Sequence, residues 1–459
     1  MPPKPGRPSP PRSTADVTLA ELLAAGGAGA DDAVSRTVLP GGLRVVSEDL
    51  PGSRSFAAGF FVATGSRHEP ATLHGVSHFL EHVLFKGTHR RNAEEISLAI
   101  EQVGGDLNAY TAKEHTCFHA TVLAEDHAIA VDVLGDMLGS SLIRARDVEA
   151  ERTVICDEIA LNHDDPADVA DELLAARLFA GTSLARSVIG SEGSIRGLRR
   201  RQIADYWRRN YRGADIVVAA AGRMRHDQLV EAVAPFAELV AADAGGPADP
   251  PAELLPLEPA LVVEARPMER SHAVLGFRSP GLFSAPGVLE RSRPAVNLLT
   301  IILGGGMSSR LFQQVRERRG LVYSIDADEG AYADAGYVSI EWGGAPEKMP
   351  EILTLVRAEI TRVIESGVTE AELGRATSQL TGQLLLADEG APARMGRIGA
   401  GELLNDRRTL SEIVHEYRQV TIEDIRRCAA DVLGAPPVLA VVGGRVNEPR
   451  LTRILDRWQ

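Results

Sequence analysis

Residues 241–259, AADAGGPADPPAELLPLEP, interrupt the chain with prolines and small residues that follow no period, so neither a helix nor a strand runs through them. They split 459 residues into halves of about equal length. A chain of this size exceeds one ordinary hydrophobic core, and a linker at its centre makes two domains the expectation.

Each half runs through a similar series of patterns. In the first, SFAAGFFVATG reads as a buried strand, followed by a helix predicted around 73–86. A second helix is predicted over 93–103, with Ile96, Ala99, Ile100 and Val103 at helical spacing and Gly104–Gly105 stopping it. DLNAYTAKEHTCFHATVL alternates like two strands joined by a short turn. The second half opens on the strand HAVLGFRSP, then a helical stretch up to Gly304–Gly306, then the strands LVYSIDADEG and GYVSIEWGG. Long helices follow in both halves, opened by VEAERTV (148–154) and VTEAELGRA (368–376). Each half closes with an apolar strand ending in Gly-Arg, ADIVVAAAGRM and PVLAVVGGRV. The expectation is an α+β fold of two similar α/β-sandwich domains, each with an antiparallel or mixed sheet packed against helices. Its boundaries are a poorly ordered tail over 1–35, a first domain over 36–240, a linker over 241–260 and a second domain over 261–459.

Composition narrows the function classes. The formal net charge of −14 opposes a general nucleic-acid binder and favours neutral or basic partners. No apolar run approaches the roughly 20 residues of a membrane span, so no membrane partner is expected. MPPKPGRPSPPRST has no apolar core behind its positive charge, so it is no secretory signal, and six prolines in its first eleven residues oppose a helical presequence. Three separated cysteines, Cys117, Cys156 and Cys428, make no disulfide framework. A cytoplasmic protein is expected.

The chemistry is not duplicated. Ten of twelve histidines precede the linker. Among them stands HFLEH, residues 78–82. On a helix, residues four apart sit about 6 Å apart on one face, so His78 and His82 can reach one ion, with Glu81 beside them. Phe79, Leu80, Val83 and Leu84 take the opposite side and face a core. Three ionisable groups on a helix fit for burial are costly without a partner, and zinc is a good one. The order is that of the inverted zincin motif. The pair His115 and His119 is also four apart, but on a predicted strand, where the span is about 13 Å and joint chelation fails.

A hydrolytic zinc site needs a third protein ligand. The acid-rich helix VEAERTVICDEIALNHDDP offers Glu149, Glu151, Asp157, Glu158 and His163. Glu151 and Glu158 lie two turns apart on one face, so one can bind metal while the other supports a ligand; spacing does not choose between them.

HFLEHVLFKGT, GGDLNAYTAKEH and VEAERTVICDEI, in this order, resemble the pitrilysin/insulinase family of inverted-motif zinc peptidases. More closely, they resemble its bacterial members, which are similar to the catalytic subunit of mitochondrial processing peptidase. The resemblance runs from about residue 36 and includes the two-half layout. It implies one zinc per chain held by His78, His82 and Glu158, with Glu81 as general base and Glu151 as supporting carboxylate. Asp157 departs from the family's frequent Glu-Glu pair. VRERRGLVY matches the family's Arg/Tyr pair, placing substrate holding on Arg316 and oxyanion stabilisation on Tyr323. Without the resemblance these two read as a surface arginine and a packed tyrosine.

The expected reaction is peptide-bond hydrolysis. The strand with Asn108, Ala109 and Tyr110 is expected to pair its edge with an extended substrate. Single-chain relatives enclose a chamber with four such domains, so two chains, alike or related, are expected to dimerise. The alternatives are a protease dedicated to one leader peptide and a non-catalytic chamber subunit.

Overall fold

The computed structural model describes residues 34–240, 254–283 and 292–458. The first half contains β1 (Val34–Val38), β2 (Arg44–Asp49), β3 (Ser55–Val62), α1 (Val76–Leu84), α2 (Ala93–Glu101), β4 (Asp106–Thr111) and β5 (Thr116–Leu123). It continues with α3 (His127–Ser140), α4 (Ala145–Asp164), α5 (Pro166–Leu178), α6 (Glu192–Gly197), α7 (Arg200–Asn210), β6 (Ile216–Gly222) and α8 (His226–Ala237). Its six strands run in the order β1-β2-β6-β3-β5-β4, with β2 and β6 parallel and the other neighbours antiparallel.

The second half contains β7 (Ala260–Ala265), β8 (Ser271–Ser279), α9 (Ser292–Gly304), a π-helical turn (Phe312–Glu317), β9 (Val322–Ala331) and β10 (Gly336–Gly344). Then come α10 (Met349–Ser366), α11 (Glu370–Ala387), α12 (Ala391–Leu404), α13 (Leu410–Arg418), α14 (Ile422–Leu433), β11 (Val438–Gly443) and α15 (Glu448–Leu455). The order β7-β11-β8-β10-β9, with β7 and β11 parallel, repeats the order β2-β6-β3-β5-β4 strand for strand. The fold is α+β and duplicated, with β1 as an addition to the first sheet. Among the described residues no helix is long and apolar enough to cross a membrane.

Two strands explain how the halves are joined. β3 sends Phe56, Ala58, Phe60 and Val62 into the first core and Ala57 and Phe61 to the opposite face. That face is covered by Ala391, Met395 and Ile398 of α12, a helix of the second half. The reciprocal contact puts α5 of the first half on β8 and β11, where Leu174 meets Val274 and Ala440. A strand buried on both faces reads as a continuous apolar run, as SFAAGFFV does. The close approach leaves no space for larger residues: a Cβ on Gly399 would stand 2.2 Å from the Phe61 ring. Arg394 and Arg397 of α12 add ion pairs to Glu48, a buried carboxylate on β2.

Several boundaries differ from the sequence expectation. β1 begins at Val34, two residues inside the expected tail, because its alternating residues pair with β2. Residues 1–33 and 241–253, most of the expected tail and linker, lie outside the described residues. α1 is shorter than expected, starting after Gly75, whose φ of 87° suits glycine. His115 lies in the turn before β5, not on the strand with His119.

Candidate metal centre

α1 forms where apolar residues recur at helical spacing, and it buries Phe79, Leu80, Val83 and Leu84 completely or nearly so. Each such side chain stabilises the buried position by roughly 1.5–3 kcal/mol. That anchorage turns His78, Glu81 and His82 toward α4 and β4. Glu69 holds the start of the helix: its carboxylate accepts from the Gly75 and Ser77 amides, both at 2.7 Å.

α4 runs beside α1 and ends at Asp164, two residues before Pro166 opens α5, which Asp165 caps through the Ala167 amide. It brings Glu158 to both histidines, 3.6 Å from His78 Nε2 and 3.5 Å from His82 Nε2. Ligand atoms of His78, His82 and Glu158 all lie within 4.8 Å of one another. One turn pair earlier, Glu151 is buried and accepts from His82 Nδ1 at 3.2 Å. Its other oxygen takes Lys86 Nζ at 2.8 Å. The other candidates on α4 stand elsewhere: Glu149 is exposed and pairs with Arg152, Asp157 is exposed, and the His163 carbonyl accepts from Arg266 at 2.5 Å.

The electrostatics suit a cation. Burial pushes His78 down to about 4, against the pull of Glu158, so its ring is neutral at pH 7, as a metal ligand requires. Burial also lowers His82, but the hydrogen bonds with Glu158 and Glu151 outweigh it and raise its pKa. Glu158 is lowered by that same contact with His82. A positive charge is thus stabilised between carboxylates, the place a divalent ion takes. Two imidazole nitrogens and one carboxylate match the donor set of zinc in hydrolytic sites, and Glu151 fixes the tautomer that leaves His82 Nε2 free to bind.

Glu81 lies alongside, half-buried. Burial raises its pKa, opposed by Thr111, whose hydroxyl donates to Glu81 Oε2 at 2.5 Å. Thr111 ends β4, the outer strand of the first sheet, so among the described residues one edge of β4 is unpaired. Asn108, Ala109 and Tyr110 pair inward with His119, Phe118 and Cys117 of β5. Asn108 and Tyr110 project outward, and the Tyr110 hydroxyl lies 3.3 Å from His115 Nε2.

Arg316 and Tyr323 come together in the second half, not at the three-donor cluster. The Arg316 guanidinium lies over the Phe312 ring at 4.5 Å and over the Tyr323 ring at 5.2 Å. Tyr323 is 76% exposed on β9, the outer strand of its sheet. Among the described residues no hydrogen bond or ion pair links this pair to His78, His82 or Glu158.

Sequence reasoning missed Lys86 and Thr111. Lys86 stands four residues after His82, on the same face of the helix predicted over 73–86, which is a readable signal. Thr111 meets Glu81 across a strand-to-helix contact that no local period announces. It also missed a cavity of about 560 Å³ between α5 and the β9–β10 strands, lined by Asp168, Asp171, Glu172, Asp328 and Glu341. There burial and then the neighbouring Glu341 push Asp171 up to about 6.

A family model described as Insulinase (Peptidase family M16) matches residues 44–192, and one described as Peptidase M16 inactive domain matches residues 197–380. An uncharacterized zinc protease of Streptomyces coelicolor is 42% identical over 433 residues, 92% of each chain. The mitochondrial-processing peptidase subunit beta of Bos taurus is 31% identical over 430 residues, 92% of this chain and 87% of that one. Among solved structures, a protease from Helicobacter pylori superposes with a TM-score of 0.84 at 18% identity, covering 89% of this chain and 99% of that one. The chain therefore belongs to the insulinase family of peptidases, M16, whose members include proteins named zinc proteases.

Proposed function

We propose that the chain is a zinc-dependent endopeptidase acting on peptides or unfolded segments, with His78, His82 and Glu158 holding one zinc and Glu81 as general base. The observation that carries this reading is the convergence of three ligand groups within 4.8 Å, with a fourth, separately held carboxylate beside them. When bound, zinc supplies a Lewis acid for the scissile carbonyl and acidifies the attacking water. Glu81 takes the water's proton and returns it to the leaving amine, a task suited to a carboxyl whose pKa burial has raised. The free edge of β4 offers main-chain hydrogen bonds to an extended substrate through Asn108–Tyr110, giving affinity with little sequence preference. The carboxylate-lined cavity next to α5 favours substrates with basic side chains.

Among the described residues the half that carries Arg316 and Tyr323 groups no metal donors. We assign these two residues to the metal site of a second chain, with Tyr323 stabilising the oxyanion and Arg316 holding the substrate in a dimer chamber. The bovine relative's name supports a narrower reading, a protease dedicated to leader peptides; cleavage confined to such peptides in a library would favour it. A purely structural subunit is the weaker reading, since His78, His82 and Glu158 put a donor residue at each ligand position.

The test is cleavage of an unfolded peptide by the purified protein. A chelator should abolish cleavage, and zinc should restore it. Glu81→Gln should lower kcat by about 10²- to 10⁴-fold while keeping its zinc. Cleavage that survives both treatments would sink the reading.

A further inference from the structure

Among the described residues the second half groups no metal donors, yet its β9–β10 turn packs against the turn that follows Thr111. The β4–β5 turn, residues 112–115, meets the β9–β10 turn, residues 332–335. Both oxygens of Glu114 accept from the Ala333 amide at 3.0 Å, and Oε1 also accepts from Arg67 Nη1 at 2.6 Å. Arg67 gives both of its terminal nitrogens to Asp334, at 2.7 and 2.6 Å. At 7% exposure the Arg67 guanidinium is out of water and depends on these two carboxylates, one from each half.

The loop that carries Arg67 is joined to the same turn by its backbone. The Ser66 amide donates to the Ala112 carbonyl at 3.1 Å, and the Arg67 amide to the Lys113 carbonyl at 2.7 Å. The approach requires Gly65, where a Cβ would stand 2.3 Å from the Ala112 oxygen. From this junction the chain leads directly to the site. The residue before Ala112 is Thr111, whose hydroxyl holds Glu81.

We propose that Asp334, acting through Arg67, Glu114 and the β4–β5 turn, is a positioning residue for Thr111 and hence for Glu81. On this account the metal-free half orients the base of its own chain, apart from any role of Arg316 and Tyr323 toward another. The inference rests on the peptidase reading. A base that takes a proton from water must present one oxygen in one direction, and a displacement of about 1 Å can cost on the order of 100-fold in rate. Thr111 is the one hydrogen-bond donor that holds Glu81 among the described residues.

The experiment uses the full chain with Asp334→Asn, Thr111→Val, Thr111→Ser and the Asp334→Asn/Thr111→Val pair. Asp334 is partly exposed in a turn, so its replacement by the isosteric amide should leave the fold intact. Asp334→Asn is expected to lower kcat by about 10- to 100-fold with KM and zinc content unchanged. Thr111→Val should do the same or more, and Thr111→Ser should retain wild-type kcat. The pair should be no slower than Thr111→Val alone, because both changes act on one orientation. Hydrogen exchange supplies a second readout that needs no activity: Asp334→Asn should speed exchange of the amides in residues 111–115. Multiplicative losses in the pair, wild-type kcat in both single variants, or unchanged exchange in the turn would each overturn the proposal. An inactive wild-type protein would overturn the peptidase reading itself, while the exchange comparison would still decide whether Asp334 holds the turn.

Discussion

At His82 the two ring nitrogens have different work. Nδ1 donates to Glu151, which leaves Nε2 facing Glu158 beside His78. Glu151 in turn is held by Lys86, so a buried carboxylate is balanced on one oxygen by a cation and on the other by the ring. Glu151→Gln keeps the shape but gives up the charge and leaves Lys86 without its partner. Zinc affinity should fall by about 10- to 100-fold, measured by competition with a chromophoric chelator. An unchanged affinity would contradict a supporting role. The sequence pattern made His78, Glu81 and His82 legible because one helical face carried all three. Glu151 and Glu158 share a face two turns apart, and their separation shows why spacing alone left the choice open. One meets the far nitrogen of the ring and the other meets the near ones.

The element that carries the pair, α1, depends on a residue outside it. Burial pushes the Glu69 carboxyl up to about 7, against the Ser77 and Gly75 amides and Arg186, which favour the anion. An unfolded glutamate titrates near 4.5. Between those values the folded chain binds a proton that the unfolded chain has released, so stability falls as pH rises. The contribution is complete below about 4.5 and lost as pH climbs through about 7. Chemical denaturation across that window should therefore show the wild type losing stability relative to Glu69→Gln; parallel curves would contradict it. Sequence patterns also located strands β3 to β6 and β8 to β11, but only a minority of the helices. What they did not reveal is the exchange of α5 and α12 between the sheets. Glycines on the faces these helices cover, Gly59 in β3 and Gly276 in β8, open the room for it, but a glycine does not say which helix will come. Nor did any local rule announce the π-helical turn that carries Arg316.

Over the whole molecule, the duplicated fold and the unduplicated chemistry imply division of labour. One half brings the His78–His82–Glu158 cluster, and the other brings the Arg316–Tyr323 pair, its tyrosine exposed, with no hydrogen bond or ion pair to that cluster among the described residues. If the pair serves a second chain, Glu81→Gln and Tyr323→Phe chains, each inactive alone, should recover peptidase activity when mixed dimers form. No recovery in dimers shown to be mixed would sink action in trans. The linker and the repeated pattern made the two halves readable in advance; the partner arrangement has no signature in one sequence. The central claim is that His78, His82 and Glu158 hold one catalytic zinc. Metal analysis of the purified wild type, Glu81→Gln and Glu158→Gln tests it most directly. About one zinc per chain is expected in the first two and a large loss in the third, with Glu81 proposed as the base and Glu158 as a ligand. A wild type without zinc, or a Glu158→Gln chain that keeps its full complement, would contradict it.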